Sequence, residues 1–199
     1  MKNKLKNVFV PNMLRGHAVL LSSFITGNIY FLIAVSGFSA ALGLVAGIIT
    51  APIGVLAGAA TLYVIRKASN MELSILEKEA KRHDIELNMI PSIEGGDLLE
   101  TSKELYLDTK SWKALLISLA KFPVGMASLI LITTYISLST ALVLSPLLYR
   151  TIDFQVYGTT LTTPPELTAA VIAGLTIYIV GVNITEKASK LYLKLNSMI

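Results

Sequence analysis

The chain has no cysteine, a single tryptophan and two histidines, and charged residues make up only 15% of its 199 positions. Without cysteine it can form no disulfide scaffold, no thiolate metal site and no cysteine nucleophile. An ordinary soluble domain carries about 25% charged residues. Here apolar residues reach 53% and the mean hydropathy is +0.65. This composition excludes a soluble multidomain enzyme, a disordered protein and a secreted mini-protein, and it suits a lipid bilayer.

Motifs that bind metals or nucleotides are missing as well. His17 and His83 lack a second histidine at H-x-x-x-H or H-E-x-x-H spacing, so we expect both to be solvated. Neither G-x-x-x-x-G-K-[ST] nor G-x-G-x-x-G occurs, and a dispersed net charge of +4 does not indicate nucleic-acid binding. We therefore predict that the protein has no cofactor, no metal site and no enzymatic activity.

Long charge-free intervals predict the architecture. Three intervals contain no Asp, Glu, Lys or Arg, namely 16–65, 122–149 and 167–185. About 20 apolar residues cross a hydrocarbon core of about 30 Å, so the first interval can hold two helices separated by a tight turn near Pro52. The sequence predicts an all-α membrane protein with one domain, residues 1–199. Its four transmembrane helices are expected at about 24–46, 50–66, 122–146 and 165–185.

Basic residues predict the orientation, because cytoplasmic segments near the spans keep an excess of Lys and Arg. Of the 17 basic residues, only Arg150 falls in the segment 147–164, between the third and fourth predicted spans. We therefore expect a multi-pass plasma-membrane protein with both termini and residues 67–121 in the cytoplasm and residues 147–164 outside. The alternative is an interfacial helix over 8–25 followed by one long span, which gives three spans and places the middle segment outside.

The cytoplasmic segment begins with an amphipathic pattern. Between Arg66 and Asp84, apolar and charged positions recur at helical spacing, which predicts that the second span continues as a helix. Pro91 and Gly95-Gly96 interrupt the next stretch. Residues 85–108 are therefore predicted to form a loop with at most one short helix near 101–106.

A second amphipathic pattern follows Asp108, a residue suited to a helix N-cap. Apolar residues at three- and four-residue spacing run from Trp112 to Phe122, just before Pro123, with lysines near them. The pattern predicts a helix lying in the inner membrane surface, with the indole of Trp112 at headgroup level. We expect Trp112 to be an aromatic anchor, and Trp112, Phe122 and Pro123 together are candidate signalling residues.

The two halves of the chain resemble each other. Leu20-Leu21 and Leu115-Leu116 each begin an apolar run, and Lys-Ala-Ser follows each predicted hairpin at 67–69 and at 187–189. This pattern suggests a duplication of two hairpins related by an axis along the membrane normal.

Small residues spaced by four occur in the first two predicted spans. They form the pairs Gly43 and Gly47, and Gly54 and Gly58. Such spacing lets helix backbones approach closely in lipid. We expect these glycines to pack the first helix against the second, and the alternative is a homodimer seam.

The segment outside the membrane contains aromatic and charged residues that form a candidate sensing surface: Tyr149, Arg150, Asp153, Phe154 and Tyr157. The alternative is a plain loop with aromatic anchors. A small hairpin is predicted between 154–157 and 160–162. Thr163-Pro-Pro-Glu166 is typical of a capping box that begins the fourth helix.

The run Asp108-Thr-Lys-Ser-Trp112-Lys-Ala-Leu-Leu-Ile-Ser-Leu-Ala-Lys-Phe122-Pro123-Val-Gly125 resembles a known signature. It is similar to the D-x-x-[ST]-W-[RK]-x-L-x-x-L-x-x-[KR]-[FL]-P-[LV]-G pattern of the putative sensor domain family, found ahead of histidine kinases and as stand-alone proteins. The similarity continues through the third predicted span to Ser145-Pro146-Leu-Leu-Tyr149, so the specific part covers about a quarter of the chain, and the first half matches only in layout. The resemblance implies signal input in the membrane and carries no catalytic residues.

These observations together predict a non-enzymatic sensory or regulatory module. Its expected partners are the bilayer and a separately encoded cytoplasmic signalling protein, since the sequence ends at Ile199. A structural or accessory subunit of a larger membrane complex is the alternative. A small transporter is disfavoured because Asp, Glu, Lys and Arg are absent from the interior of the predicted spans and occur only at their ends.

Overall fold

The computed structural model describes residues 2–93, 96–149, 155–156, 159–160 and 163–199, with the backbone alone for 2–14 and for the two short strands. The elements in chain order are α1 (Lys2–Val45), α2 (Ala51–Arg82), α3 (Leu98–Leu107), α4 (Thr109–Leu148), β1 (Gln155–Val156), β2 (Thr159–Thr160) and α5 (Pro164–Asn196). The strands pair in antiparallel fashion, as the predicted hairpin requires.

Local sequence signals explain where the helices begin and end. Pro52 lies in the first turn of α2, where its missing N–H leaves no hydrogen bond unmade. Asp108 ends α3 and caps α4, because its carboxylate accepts backbone N–H groups of the first turn. The backbone N–H of Thr163 donates to the Glu166 carboxylate at 3.0 Å, so the predicted capping box begins α5.

The predicted surface helix around Trp112 is not a separate element. α4 runs without interruption from Thr109 to Leu148 and includes Pro123. Pro123 is exposed, so its ring and its missing N–H disturb only the outer side of the helix. At about 1.5 Å per residue, 40 helical residues extend about 60 Å, which exceeds the hydrocarbon core. Part of α4 must therefore lie outside it.

Helix directions differ from those predicted for a duplication about the membrane normal. Such an axis makes α1 and α4 parallel, whereas the structure has them antiparallel. Phe38 lies beside Trp112, Phe31 beside Phe122 and His17 beside Tyr135.

Contacts also establish the directions of the other two long helices, α2 and α5. α2 is antiparallel to α1, because Gly54 faces Val45 whereas Glu72 bonds to Thr26. α5 is antiparallel to α4, because Gly181 lies against Tyr135 and Gly174 against Leu142. The turn at 46–50 and the end of α4 therefore lie at opposite ends of the bundle.

The apolar core is split along the bundle. One cluster joins Leu20 of α1 to Leu76, Tyr135 and Leu193, and so combines all four long helices. A second cluster packs α3 and the start of α4 onto α1 and α2. The buried pair Glu72 and Lys121, described below, lies between the two clusters.

Three helices of the described part are long and apolar enough to cross a membrane: residues Arg15–Val45 of α1, α4 and α5. α2 is not among these three, although its first 15 residues carry no charge. Four spanning helices therefore stay a prediction.

The four glycines predicted to pack helices differ in their surroundings. A Cβ on Gly54 would lie 2.6 Å from the backbone nitrogen of Val45, so α1 and α2 touch there. A Cβ on Gly58 would meet the Tyr106 hydroxyl. Gly43 has nothing within 4 Å, and the nearest atom to Gly47 belongs to Thr50 in the same turn. The packing role predicted for Gly43 and Gly47 is therefore wrong, and a homodimer seam stays a prediction.

Gly54→Leu should destabilise the protein, because the new side chain forces the α1 and α2 backbones apart. We expect a loss of about 1–3 kcal/mol in the free energy of unfolding, as for other overpacked sites, measured by denaturant unfolding in detergent. Gly43→Leu is the matched control and should stay within about 0.5 kcal/mol. Equal effects of the two substitutions would contradict the contact.

Candidate functional site

A carboxylate–ammonium pair lies buried where the four long helices meet. Lys121 Nζ on α4 is 2.7 Å from Glu72 Oε2 on α2, and the two side chains are 0% and 7% exposed. The other oxygen, Glu72 Oε1, accepts hydrogen bonds from the Tyr192 hydroxyl on α5 and, at 3.3 Å, from Thr26 Oγ1 on α1. Tyr30 of α1 also interacts with Glu72. We call these five residues the Glu72 network.

A close backbone contact between α1 and α4 places Lys121 in the network. A Cβ on Gly27 would lie 2.6 Å from the Lys121 carbonyl oxygen, and a Cβ on Gly125 would lie 2.7 Å from Phe24 Cα. A larger residue at either position would have to displace backbone. The Lys121 ammonium also lies 5.0 Å from the centroid of the Tyr30 ring, within cation–π range.

Burial makes each charge of the network depend on the other. An ion removed from water loses several kcal/mol of hydration, which only a well-placed counter-charge and hydrogen bonds offset. Both carboxylate oxygens of Glu72 already have donors, so the group is poorly suited to accept a substrate proton. The arrangement instead ties four helices to one carboxylate.

A second buried cation joins α2 to the corner between α3 and α4. The Arg66 guanidinium pairs with Asp108, donates to Ser111 Oγ at 2.8 Å and donates from Nε to the Pro91 carbonyl oxygen at 3.1 Å. Its side chain is 7% exposed. We call these four residues the Arg66 junction.

The charge of Asp108 is stabilised within this junction. Burial opposes ionisation, but hydrogen bonds from Arg66, from Ser111 and from the backbone N–H of Lys110 outweigh it. They hold the pKa of Asp108 below its usual range. The carboxylate is therefore ionised at neutral pH, and it caps α4 while it neutralises Arg66.

Trp112 lies beside the Arg66 junction and contacts two other helices. Its Nε1 donates to the Tyr106 carbonyl oxygen of α3 at 2.8 Å, and its ring centroid is 6.2 Å from that of Phe38 on α1. The Tyr106 hydroxyl donates to the Val55 carbonyl oxygen, and burial raises the pKa of that hydroxyl. Trp112 is only 38% exposed, so its environment reports on how α1, α3 and α4 meet.

The other predicted signalling residues occupy different positions. Phe122 stacks on Phe31 of α1, with ring centroids 4.4 Å apart. Pro123 is exposed on α4. The structure therefore brings Trp112 and Phe122 to α1 at two levels and leaves Pro123 outside that contact.

The candidate sensing surface is described only at Tyr149, which packs against a small cluster that includes Leu142 and Leu167. The other four residues proposed for that surface lie outside the described part of the chain: Arg150, Asp153, Phe154 and Tyr157. Their grouping stays a prediction.

The Glu72 network is not among the sequence predictions, because Glu72 and Lys121 both fall in the segment 67–121 that is expected in the cytoplasm. Helical phase offered a signal for Glu72. Ile65, Ser69, Leu76 and Ala80 share its three- and four-residue spacing, and all five positions are buried. Lys121 carried a similar signal, because Ala114, Ser118, Gly125 and Ser128 share its spacing and are buried, whereas Lys110 and Lys113 are exposed.

The expectation that His17 is solvated is wrong. Its Nε2 lies within hydrogen-bond distance of the Tyr135 hydroxyl on α4, and the side chain is half-buried. His83 lies beside Glu79, with 3.8 Å between Nε2 and a carboxylate oxygen. In the described residues, no three His, Asp or Glu side chains are grouped so that they could hold a metal ion.

Comparison with known proteins gives one result. A family model described as "Putative sensor" matches residues 19–195, which is most of the chain. No curated protein and no solved structure matches it.

Replacing one charge of the Glu72–Lys121 pair should lower the stability of the protein far more than replacing both charges. Glu72→Gln or Lys121→Met leaves one buried charge unpaired, so each should lower the free energy of unfolding by about 3–5 kcal/mol. The double variant should recover much of that loss in denaturant unfolding in detergent.

Exposed charges provide the control for this cycle. The pair Glu77 and Lys81, with its exposed side chains, should cost about 0.3–0.5 kcal/mol when broken. Strictly additive effects of the two single substitutions in the network would show that the charges are not coupled.

Proposed function

The chain belongs to the putative sensor family, and we propose that it is a non-enzymatic membrane module that passes a membrane signal to a separately encoded partner. The observation that carries this proposal is the Glu72 network. One carboxylate bonds to side chains of three other helices, so displacement of any one helix disturbs the same group.

A sensor needs two states that a signal favours unequally. The network supports discrete states, because a buried ion pair is either made with good geometry or is costly. The Arg66 junction supports transmission from the bundle to the segment between α2 and α4. In this junction Arg66 donates a hydrogen bond to the Pro91 carbonyl oxygen. The Asn70 side chain, one turn further along α2, donates to the Ile90 carbonyl oxygen and accepts from the Ile90 N–H, each at 2.8 Å.

The charged half of α2 supports the proposed transfer of the signal to a partner protein. Lys67, Lys78 and Lys81 are exposed there, next to a segment held by buried contacts. An accessory subunit does not need a second conformational state. An experiment that detects two states can therefore distinguish the two functions.

We also propose an orientation. Nine basic residues between Arg66 and Lys121 favour a cytoplasmic position for that segment. If the bundle stands across the bilayer, the antiparallel helices then place the C-terminus inside and residues 150–163 outside.

Two membrane topologies differ in the side of the membrane on which the turn at 46–50 lies. The charge pattern alone favours four spans, with this turn outside and the N-terminus inside. The directions of α1 and α4 instead favour a cytoplasmic turn and an external N-terminus. We propose the second arrangement because two contacts together make α1 and α4 antiparallel, Gly27 against Lys121 and Gly125 against Phe24.

Single cysteines can test this orientation in the cysteine-free chain. A membrane-impermeant thiol reagent applied to intact cells should label Thr160→Cys and should leave Ile48→Cys and Ser92→Cys unlabelled until the cells are permeabilised. Labelling of position 48 together with position 160 would instead support the four-span arrangement. Labelling of position 92 in intact cells would show that the orientation is opposite to the proposed one.

The sensory function can be tested through Trp112, whose emission is unambiguous because it is the only tryptophan. In vesicles of increasing acyl-chain length, α4 must tilt or shift to match the hydrocarbon core. Trp112 emission and its quenching by brominated lipids should change accordingly, since its contacts to Phe38 and Tyr106 change.

The double variant Glu72→Gln/Lys121→Met should weaken this response, because the helices are no longer coupled through the network. Lys113→Gln, at an exposed position of α4, is the control and should respond like the wild type. Constant Trp112 emission across all lipids would favour the accessory-subunit function.

A further inference from the structure

A basic groove lies between the end of α2 and the last turns of α5. It has a volume of about 700 Å³ and is lined by Arg82, His83, Asp84, Ile85, Lys187, Lys190, Leu191 and Lys194. The three lysines are spaced by three and four residues, so they project from one face of α5, and all three are exposed.

Two of these lysines are free to bind an anion. Lys190 is 3.1 Å from Glu186, and Arg82 is 3.0 Å from Glu79. Lys187 and Lys194 form no ion pair with any residue that the structure describes. Among the described residues that line the groove, Asp84 is the only acidic one, so the charge of this lining is net positive.

An apolar groove continues from the basic one. It has a volume of about 540 Å³ and runs between α4, which contributes Val124, Ala127 and Leu131, and α5, which contributes Ala188, Leu191 and Leu195. Leu191 lines both grooves. A molecule that fills both has an anionic head and an aliphatic chain.

We propose that the two grooves form a binding site for an acidic phospholipid, which deepens and rests on the sensory function proposed above. The phosphate lies among Lys187, Lys194 and Arg82, and one acyl chain lies between α4 and α5. Cytoplasmic leaflets carry the anionic lipids that attract such basic clusters, and the proposed orientation places this end of α5 on that side.

The site also contacts the Glu72 network. Tyr192 lines the apolar groove, and its hydroxyl donates to the Glu72 carboxylate. Tyr192 is only 1% exposed, so an acyl chain in this groove covers the small accessible part of a residue that bonds to the buried ion pair. Lipid composition thereby acts on the same carboxylate that joins the four helices.

Lipid titration of the full chain in detergent, followed by native mass spectrometry, tests the site. Dioleoyl phosphatidylglycerol should bind at least about tenfold more tightly than dioleoyl phosphatidylcholine, as expected for two or more lysines near an anionic head. Lys187→Gln/Lys194→Gln should abolish this preference. Lys103→Gln/Lys113→Gln, which removes two exposed lysines elsewhere, should retain it.

Ala127→Leu tests the acyl-chain part separately, because it fills the apolar groove at an exposed position without removing charge. It should weaken binding of both lipids and leave the preference for the anionic head unchanged. Each variant is first compared with the wild type in thermal unfolding, so that a folding defect is recognised.

Three results would overturn the lipid site: equal binding of the two lipids, equal loss in the control lysine variant, or complete competition by inorganic phosphate at the lipid concentration. The last result would identify a site for a free anion. If phosphatidylglycerol binds without any change in Trp112 emission, the lipid site is supported and the proposed sensory function is contradicted.

Discussion

The structure depends on a pair of opposite charges that cannot be separated without placing one of them alone in an apolar bundle. Glu72 and Lys121 are both buried, and their partners Tyr192 and Thr26 come from the two remaining long helices. Apolar packing in lipid has little preference for one helix rotation over another, because lipid tails and leucine side chains are equally apolar. The ion pair supplies that preference, since a modest rotation of α2 or α4 would remove the ammonium from the carboxylate.

Glycine makes this electrostatic contact geometrically attainable. Gly27 and Gly125 allow α1 and α4 to meet at backbone distance beside Lys121, and Gly54 does the same for α1 and α2. These contacts fix helix directions as well as distances. They make α1 antiparallel to α2 and to α4, which supports the orientation proposed for the membrane.

The Arg66 junction extends the same principle to the segment between α2 and α4. One guanidinium neutralises Asp108 and also satisfies the Pro91 carbonyl oxygen, and Asp108 caps α4. The segment that carries α3 is therefore held by polar contacts with defined geometry.

The sequence by itself determined the helical character, the membrane environment and many element boundaries. These depend on local properties: charge-free length, proline at a first turn, Asp108 as an N-cap and the capping box at Thr163. It also placed Gly54 at a close helix contact, because small-residue spacing is a local pattern. Only the tertiary structure decided which charges are buried, that His17 meets Tyr135, that α4 continues through Pro123 and that α1 and α4 are antiparallel. The burial of Glu72 and Lys121 depends on partners 49 residues apart, and the contact of His17 with Tyr135 on partners 118 residues apart. Hydropathy along the chain cannot register them, because a lysine at the end of a charge-free interval looks the same whether its partner is water or a buried carboxylate.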